Sequence, residues 1–250
     1  MAAAMSVRDE KEYDAIVVVG GGCYGSYYVR QLERARAAGA IQYNRILVVD
    51  RSTQCQVAGE STGAELVVSE WRDFFSSYLA SASGDTRDAI VPSPLMPHLM
   101  YGWLLNRASA RWPGRVVATR SLTVVPETPW QSKAPDGTHY ASYAAWTCPI
   151  NCIEPRRCPH TGGERYWTMP AAARDVIARA QTGPEPLQGP VIFHCTHRAF
   201  GVGMFDTGDV VAADKFVKSV VAQSGANVLV GTVSHCHGAF NVLHVGAATS

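Results

Sequence analysis

Hydrophobic and polar positions follow one another along this chain in blocks that predict both strands and helices. The first block, residues 16–19, is apolar and β-branched, and it stops at three consecutive glycines. A segment with helical spacing follows, with one stripe formed by Tyr28, Leu32, Ala35 and Gly39. A second apolar run, residues 46–49, ends on Asp50. We therefore expect this part of the chain to fold as strand, tight turn, helix and strand.

Later blocks repeat this alternation. Strands are predicted at residues 65–69, 88–91, 116–118, 122–125, 191–193 and 228–233, and helices at residues 70–82, 94–110, 168–180 and 213–223. The last helix is a crossover between the last two strands, so these two strands are expected to be parallel. Together the elements predict one α/β domain over residues 1–250, with a doubly wound, mostly parallel, Rossmann-like sheet.

Residues 126–169 interrupt the pattern. Prolines, aromatic residues and polar residues crowd together there, with no helical period and few runs of strand length. An irregular stretch of this length is usually functional, or it is held by something other than a core. We predict an irregular, cysteine-rich insertion in the domain.

The three glycines carry the first chemical signal, because they form Gly20-x-Gly22-x-x-Gly25 between a strand and a helix. Gly20 permits the sharp bend, Gly22 lets a pyrophosphate approach the backbone, and Gly25 lets the helix pack closely on the strand. The unpaired amides at the start of the helix attract phosphate groups through their partial positive charge. Asp50, at the end of the second strand, is placed to accept hydrogen bonds from a ribose diol.

This stretch resembles the dinucleotide-binding Rossmann superfamily, in the GGGxxG form found among NAD(P)- and FAD-dependent proteins, and the resemblance covers only the first fifth of the chain. It implies a dinucleotide held by residues of the turn and the strand end, namely Gly20, Gly22, Cys23, Tyr24, Gly25 and Asp50. NAD or NADP is favoured over FAD, because a flavin fold usually needs more chain and further motifs. The acid suits the free 2′-hydroxyl of NAD, whereas the adjacent Arg51 can accept the 2′-phosphate of NADP.

The insertion contains several of the seven cysteines of the chain. Clustered thiols in a reducing cytosol indicate metal ligands or reactive groups rather than disulfides. Four candidate ligands fall close together, Cys148, Cys152, Cys158 and His160, and they match a tetrahedral zinc site that would stabilise a segment without its own core. An iron–sulfur cluster is less favoured, because the C-x3-C-x5-C spacing departs from the ferredoxin run. Reduced cysteines packed as small hydrophobic residues are the alternative.

The last two predicted strands end in similar sequences, HCTH at residues 194–197 and SHCHG at residues 234–238. Parallel strands share an edge of the sheet, and this edge is expected to carry the glycine turn as well. We therefore expect Cys195, His197, Cys236 and His237 to converge on one catalytic pocket near the reactive end of the cofactor. A cysteine beside a histidine can form a thiolate, a histidine can transfer protons, and both can bind a catalytic metal. Strand-end residues that satisfy loop backbone are the alternative.

Composition narrows the class of protein. With 47% hydrophobic and 17% charged residues, the chain is globular rather than disordered. A net charge of +1 gives no reason to expect nucleic acid or an anionic membrane as a partner. Residues 1–14 lack the hydrophobic region of a signal peptide, and no apolar run reaches membrane-spanning length. A cytoplasmic location is expected.

These signals predict a dinucleotide-dependent oxidoreductase that acts on a small-molecule substrate, which the sequence does not identify. The first alternative is a non-catalytic sensor, or a subunit of a larger complex, that binds a nucleotide or a metal. A second alternative is an enzyme-like fold that has lost its ligand and serves a structural role. A homo-oligomer is compatible with each of these functions.

Overall fold

A computed structural model describes residues 12–149, 152–181, 183, 185–221 and 224–248. Its helices are α1 (Cys23–Ala37), α2 (Trp71–Ser81), α3 (Leu99–Arg111), α4 (Met169–Ala180) and α5 (Thr207–Val220). Its strands are β1 (Glu12–Val19), β2 (Gln42–Asp50), β3 (Glu65–Val68), β4 (Ala89–Val91), β5 (Val117–Arg120), β6 (Trp130–Lys133), β7 (His139–Ser142), β8 (Leu187–His194), β9 (Thr196–Ala199), β10 (Val202–Asp206), β11 (Ala226–Val233) and β12 (His237–Val245). The expectations for residues 1–11 and for the end of the last helix at residue 223 fall outside the described residues. Within them, no helix has the length and apolar character needed to cross a membrane.

The first sheet has the strand order β3-β2-β1-β4-β10-β9. Its first four strands are parallel to one another. β10 then pairs with β4 in the antiparallel direction, and β9 pairs with β10 in the same way. The apolar run of β1 is buried on both faces, as expected for a central parallel strand.

The second sheet has the strand order β6-β7-β12-β11-β8, and β5 also pairs with β12. β8 and β11 are parallel neighbours, while the other described pairs of this sheet are antiparallel. The last residues of the two parallel strands, His194 and Val233, lie side by side in the register. The segments that follow these two strands therefore leave the sheet next to each other.

The predicted doubly wound, mostly parallel sheet is wrong. The structure has two mixed sheets, and six of the ten strand pairs between described residues are antiparallel. The pattern missed β9, β10 and β12. Strand β10 follows β9, and β12 follows β11, through a short turn; in the first of these turns Phe200 and Gly201 both have positive φ. Short reversals of this kind produce antiparallel pairs, whereas parallel pairs need a long crossover.

Two further expectations need correction. The insertion at residues 126–169 is not irregular throughout, because β6 and β7 form an antiparallel hairpin within it. The predicted strand at 122–125 does not form, and the helix predicted from residue 94 begins at Leu99. Pro97 explains the late start, since a proline inside the helix would remove a backbone hydrogen bond and clash with the preceding turn.

The elements pack in layers around a core that both sheets share. Helices α2, α3 and α5 lie between the sheets. Their large side chains, including Phe75, Trp103 and Leu104, are buried in one cluster with Phe193 of β8 and Phe205 of β10. Helix α1 covers the other face of the first sheet, and α4 covers the other face of the second sheet. The burial of apolar surface from both sheets in one cluster joins them into one body.

Candidate functional site

The glycine turn joins β1 to α1. Gly20 has a φ of 88°, which glycine adopts without strain. Gly22 is the N-cap residue of α1, and no side chain caps this helix. A Cβ on Gly25 would lie 1.8 Å from the carbonyl oxygen of Gly20, whereas a Cβ on Gly22 would meet no atom within 4 Å. The turn therefore requires glycine at position 25 and leaves open space beside the helix N-terminus at position 22.

The carboxylate of Asp50 holds this turn against the end of β2. Its Oδ2 accepts the backbone amide of Gly21 at 2.7 Å, and its Oδ1 accepts the amide of Ser52 at 2.8 Å. Each carboxylate oxygen has a second lone pair, so Asp50 is still able to accept a hydroxyl group. The guanidinium of Arg51 lies over the Trp71 ring, 5.5 Å from its centroid. The carboxylate of Asp50 and the guanidinium of Arg51 are thus adjacent at the end of β2.

Helix α1 leads from the turn to a cavity. Cys23 is exposed and Tyr24 is half-buried in the first helical turn, and Tyr28 follows one turn later in the cavity wall. Burial, followed by the nearby Tyr24 and Cys195 side chains, raises the pKa of Tyr28 to about 12. Tyr28 is therefore a neutral hydroxyl group between the glycine turn and Cys195.

The cavity that Tyr28 lines is called the central cavity. It has a volume of about 380 Å³ and lies between the carboxyl ends of β4, β8 and β11. Its polar and titratable wall residues include Tyr28, Ser93, Cys195, His197, Ser234 and His237. Pockets of about this size, with apolar walls and a few convergent polar groups, are typical of small-molecule sites.

The titratable groups of the central cavity are neutral at physiological pH. Burial raises the pKa of the Cys195 thiol to about 12, so the reactive thiolate that the sequence suggested is not favoured. Burial also lowers the pKa values of His197 and His237. The Nδ1 of His237 lies 2.9 Å from the Ser142 hydroxyl oxygen, which fixes the orientation of the imidazole ring. A neutral imidazole has a ring nitrogen that can accept a proton from a substrate, whereas an imidazolium group has none.

A second space, the cysteine cavity, has a volume of about 390 Å³ and shares His197, Ser234 and His237 with the central cavity. Four thiols line it, those of Cys148, Cys152, Cys158 and Cys236. Burial, and then the neighbouring thiols of Cys152, Cys236 and Cys158, raise the pKa of Cys148. The Cys236 sulfur accepts a hydrogen bond from Arg165 Nη1 at 3.4 Å.

Glu154 holds the cysteine-rich segment onto the loop after β11. Its carboxylate accepts the Ser234 hydroxyl at 2.7 Å and the backbone amides of His235 and Cys236 at 2.8 and 3.0 Å. The Nδ1 of His197 lies 3.6 Å from the same carboxylate. The wall between the two cavities is therefore built around one buried acid.

The predicted set of metal ligands does not assemble as expected. Cys148, Cys152 and Cys158 line one cavity, but the described wall residues do not include His160, which stacks on Trp146 with ring centroids 4.6 Å apart. No group of three or more His, Cys, Asp or Glu side chains among the described residues is placed to hold a metal ion. The fourth soft side chain in this wall is Cys236, which the sequence assigned to the catalytic group.

The structure divides the predicted catalytic residues between the two cavities. Cys195, His197 and His237 line the central cavity, while Cys236 lines the cysteine cavity. Their strand ends meet because β8 and β11 are parallel neighbours. The expected common edge with the glycine turn does not form, because the turn belongs to the first sheet and these strands belong to the second. Tyr28 connects the turn with the central cavity instead.

Sequence reasoning missed several residues of this site. Glu154 lies two positions after Cys152, so a carboxylate inside the cysteine-rich segment was a visible signal. The signal for Trp146, Arg165 and Trp167 was weaker, since an aromatic or basic residue in an irregular segment has many uses. Their position in the wall of the cysteine cavity depends on the fold.

Comparison with known proteins gives one family. The family model AF_1314_C, described as "Uncharacterized protein, C-terminal domain", matches residues 100–246, which is more than half of the chain. The matched region runs from α3 to β12 and contains the four thiols of the cysteine cavity, but it begins after the glycine turn. Neither the curated proteins nor the solved structures give a significant match to the chain.

Proposed function

Because the chain belongs to the AF_1314_C family of uncharacterized proteins, we propose a function from the site itself. The protein binds a dinucleotide at its glycine turn and acts as a dinucleotide-dependent oxidoreductase. NAD or NADP is the cofactor that we favour, and a small molecule in the central cavity is the substrate. The cofactor would supply the hydride or electron chemistry, and the chain would bind, orient and exchange protons.

One observation carries this proposal, namely the close packing of α1 on the end of β1. The Gly25 position lies so near the Gly20 carbonyl that a single methyl group would clash with it. This contact brings the uncapped N-terminus of α1 to the edge where β1 ends, and such an N-terminus attracts phosphate groups. The parallel order β3-β2-β1-β4 around the turn supports the same interpretation.

Four residues of the chain, besides the glycines, have roles in the proposed cofactor site. Asp50 would accept a ribose hydroxyl, because its oxygens lie at the end of β2 and retain acceptor capacity. Arg51, held over Trp71, would favour a 2′-phosphate. Cys23 and Tyr24 lie in the first turn of α1, where their backbone amides have no side-chain cap. Asp50 would thus favour NAD, and Arg51 would favour NADP.

The central cavity supplies the proton chemistry in this proposal. His197 and His237 are neutral, since burial lowers the pKa of each, and either is able to accept a proton from a bound substrate. Ser142 orients the ring of His237. Cys195 remains a thiol and contributes shape and a weak hydrogen-bond donor, because burial raises its pKa to about 12.

Isothermal titration calorimetry of the full chain with NAD, NADP and FAD tests the cofactor assignment. Gly22→Ala places a methyl group in open space where the pyrophosphate would lie, so it should weaken binding about tenfold or more while the fold is retained. Gly114→Ala is the matched control, because a Cβ there also meets no atom within 4 Å and lies far along the chain from the turn. Absence of binding for all three dinucleotides at millimolar concentration would refute the proposal.

A second measurement separates an enzyme from a sensor. A bound dinucleotide should be oxidised or reduced when an artificial electron acceptor or donor is present, with a change in its absorbance. A dinucleotide that binds with the Gly22→Ala dependence described above but never changes its redox state would indicate the non-catalytic sensor instead.

A further inference from the structure

The cysteine cavity brings together soft side chains from two distant parts of the chain. Three of its thiols belong to the segment between β7 and α4, and the fourth, Cys236, follows β11. All four are free cysteines. Thiolates select zinc, copper(I) and iron–sulfur clusters among the common inorganic cofactors. The size and the polar groups of the cavity distinguish between these inorganic cofactors.

The size of the cavity argues against a single ion. Its volume is about 390 Å³, whereas one water molecule occupies about 30 Å³ in the liquid. Thiolates on one zinc ion lie about 2.3 Å from the metal and nearly touch one another. No described group of three or more candidate ligands has this close arrangement. A larger inorganic core with thiolates at its corners fits a wide cavity better.

Buried donors in the same wall point to an occupant that accepts hydrogen bonds. Trp146 Nε1, Arg165 Nε and Trp167 Nε1 are buried without a hydrogen-bond partner among the described residues. All three residues line the cysteine cavity. Buried N–H groups are nearly always paired, so three orphaned donors around one space need an explanation. An anionic group with several sulfur acceptors would provide it, and Arg165 would balance part of the negative charge.

We propose that the cysteine cavity binds an iron–sulfur cluster through Cys148, Cys152, Cys158 and Cys236. Trp146, Arg165 and Trp167 donate hydrogen bonds to the sulfur atoms of the cluster or of its ligands. The site does not depend on the dinucleotide function proposed above, because its four sulfur ligands lie outside the glycine turn, although its wall shares His197, Ser234 and His237 with the central cavity.

Other side chains near the cavity are already engaged. Both oxygens of Glu154 accept hydrogen bonds from the loop after β11, so this carboxylate positions Cys236 rather than binding metal. His160 is exposed and stacked on Trp146. Of the two histidines in the wall, His197 has its Nδ1 3.6 Å from the Glu154 carboxylate and His237 has its Nδ1 2.9 Å from the Ser142 hydroxyl oxygen. The four thiols are therefore the sulfur ligands that the wall offers.

Anaerobic reconstitution of the full chain with iron and sulfide tests the proposal. The protein should take up iron and acid-labile sulfide in equal amounts, on the order of four each for a cubane cluster. It should show the broad visible absorbance of thiolate-bound iron, and reduction by dithionite should bleach this absorbance. Failure to take up iron and sulfide, or stoichiometric binding of zinc by all four thiols in preference to the cluster, would overturn the proposal.

Three variants identify the ligands. Cys236→Ser should lose most of the cluster, and circular dichroism would check that the chain remains folded. Cys55→Ser is the control, because Cys55 lies in the loop after β2 and packs beside Gly21, outside the cysteine cavity, so this variant should keep the full iron content. His160→Gln should also keep the cluster. Loss of the cluster in His160→Gln with retention in Cys236→Ser would contradict the assignment.

A fourth variant gives a result even if Cys236→Ser does not fold. Arg165→Gln removes a positive charge and a hydrogen-bond donor beside the Cys236 sulfur. The reduced cluster, which carries more negative charge, should then be less stable, so the reduction potential should fall while the iron content stays the same. An unchanged potential in a cluster-loaded Arg165→Gln protein would show that the cluster does not lie where we place it.

Discussion

The carboxylate of Glu154 accepts the backbone amide of Cys236 at 3.0 Å, although 82 positions separate the two residues in the chain. Burial works to raise the pKa of Glu154, but the hydrogen bonds from Ser234, His235 and Cys236, with the nearby His197, keep the pKa below its usual range. Glu154 has a φ of 50°, which costs a non-glycine residue about 1–3 kcal/mol. The contact is therefore strong enough to hold the backbone in an uncommon conformation.

We expect Glu154→Gln to lower the free energy of unfolding by about 2–3 kcal/mol, because hydrogen bonds to a charged group contribute about 1.5–3 kcal/mol each. The amide that replaces one oxygen would face donors rather than acceptors. Urea unfolding would measure the change. Glu164→Gln is the control, since that carboxylate is exposed in the same segment and its loss should cost less than about 0.5 kcal/mol. Equal effects in the two variants would mean that Glu154 holds nothing in place.

The glycine turn gives a prediction about packing. Gly25→Ala should destabilise the protein by about 3 kcal/mol, because its methyl group would overlap the rigid Gly20 carbonyl rather than a flexible side chain. Gly22→Ala should change the stability by less than about 1 kcal/mol, because its methyl group meets open space. Thermal unfolding of both variants would measure the difference. Similar melting temperatures would show that α1 does not approach β1 as closely as described.

The local part of the fold was predictable from the sequence. The strand, turn, helix and strand from β1 to β2 depend on contacts between residues close in the chain, and the hydrophobic period reports such contacts directly. The same holds for β8, β11 and the helix between them, whose parallel pairing follows from the crossover. Local periodicity therefore placed Cys195 and His197 beside the end of β11.

The rest of the fold depended on strand pairings between distant parts of the chain, which the hydrophobic period of the sequence does not report. β12 contains Asn241 and His244 within an otherwise apolar run, and its three partners are β11, β7 and β5. Polar residues inside a buried strand conceal the usual alternation, so the strand and its antiparallel pairing were missed. The placement of Cys236 in the cysteine cavity follows from the contact with Glu154, which no sequence spacing indicates.

An ion pair joins α3 to α5 and gives a third prediction. The carboxylate of Asp214 accepts hydrogen bonds from Arg111 Nη2 at 2.7 Å and from Arg107 Nη2 at 3.3 Å, and its side chain is 14% exposed. Burial works to raise the pKa of Asp214, but Arg111 and then Arg107 lower it below its usual range. The charged form of Asp214 therefore stabilises the folded state.

Asp214→Asn should lower the free energy of unfolding by about 2 kcal/mol at neutral pH, because two arginines lose their partner. The loss should shrink as the pH falls below about 4, where the wild-type carboxylate takes up a proton in the unfolded chain. Urea unfolding at several pH values would measure both effects. Asp175→Asn is the control, since its pair with Arg179 is more exposed and should contribute less than about 1 kcal/mol. A pH-independent difference would rule out the ion pair as its cause.

His98 is half-buried between the sheets, and each of its ring nitrogens has a polar partner. Its Nδ1 lies 2.9 Å from the Thr232 hydroxyl oxygen, and its ring stacks on Tyr101 with centroids 5.0 Å apart. In the amide orientation that satisfies both of its ends, Asn241 donates to His98 Nε2 at 3.1 Å. Burial lowers the pKa of His98 to about 3, so the imidazole is neutral in the folded protein.

This neutral imidazole predicts a loss of stability in acid. Between its ordinary pKa of about 6.5 and a pH of about 3, the unfolded chain binds a proton at His98 that the folded chain does not bind, so stability falls as the pH falls. One pH unit corresponds to about 1.4 kcal/mol, so a change from about pH 6.5 to about pH 5 should remove about 2 kcal/mol through this residue. His98→Gln lacks the imidazole. Between about pH 6.5 and about pH 5, its free energy of unfolding, measured by urea titration, should therefore fall by about 2 kcal/mol less than that of the wild type. His139→Gln is the control, because burial lowers the pKa of His139 in the same direction but by less, so this variant should remove a smaller part of the decline. Equal declines in the wild type and in His98→Gln would mean that the folded protein protonates His98 as readily as the unfolded chain does.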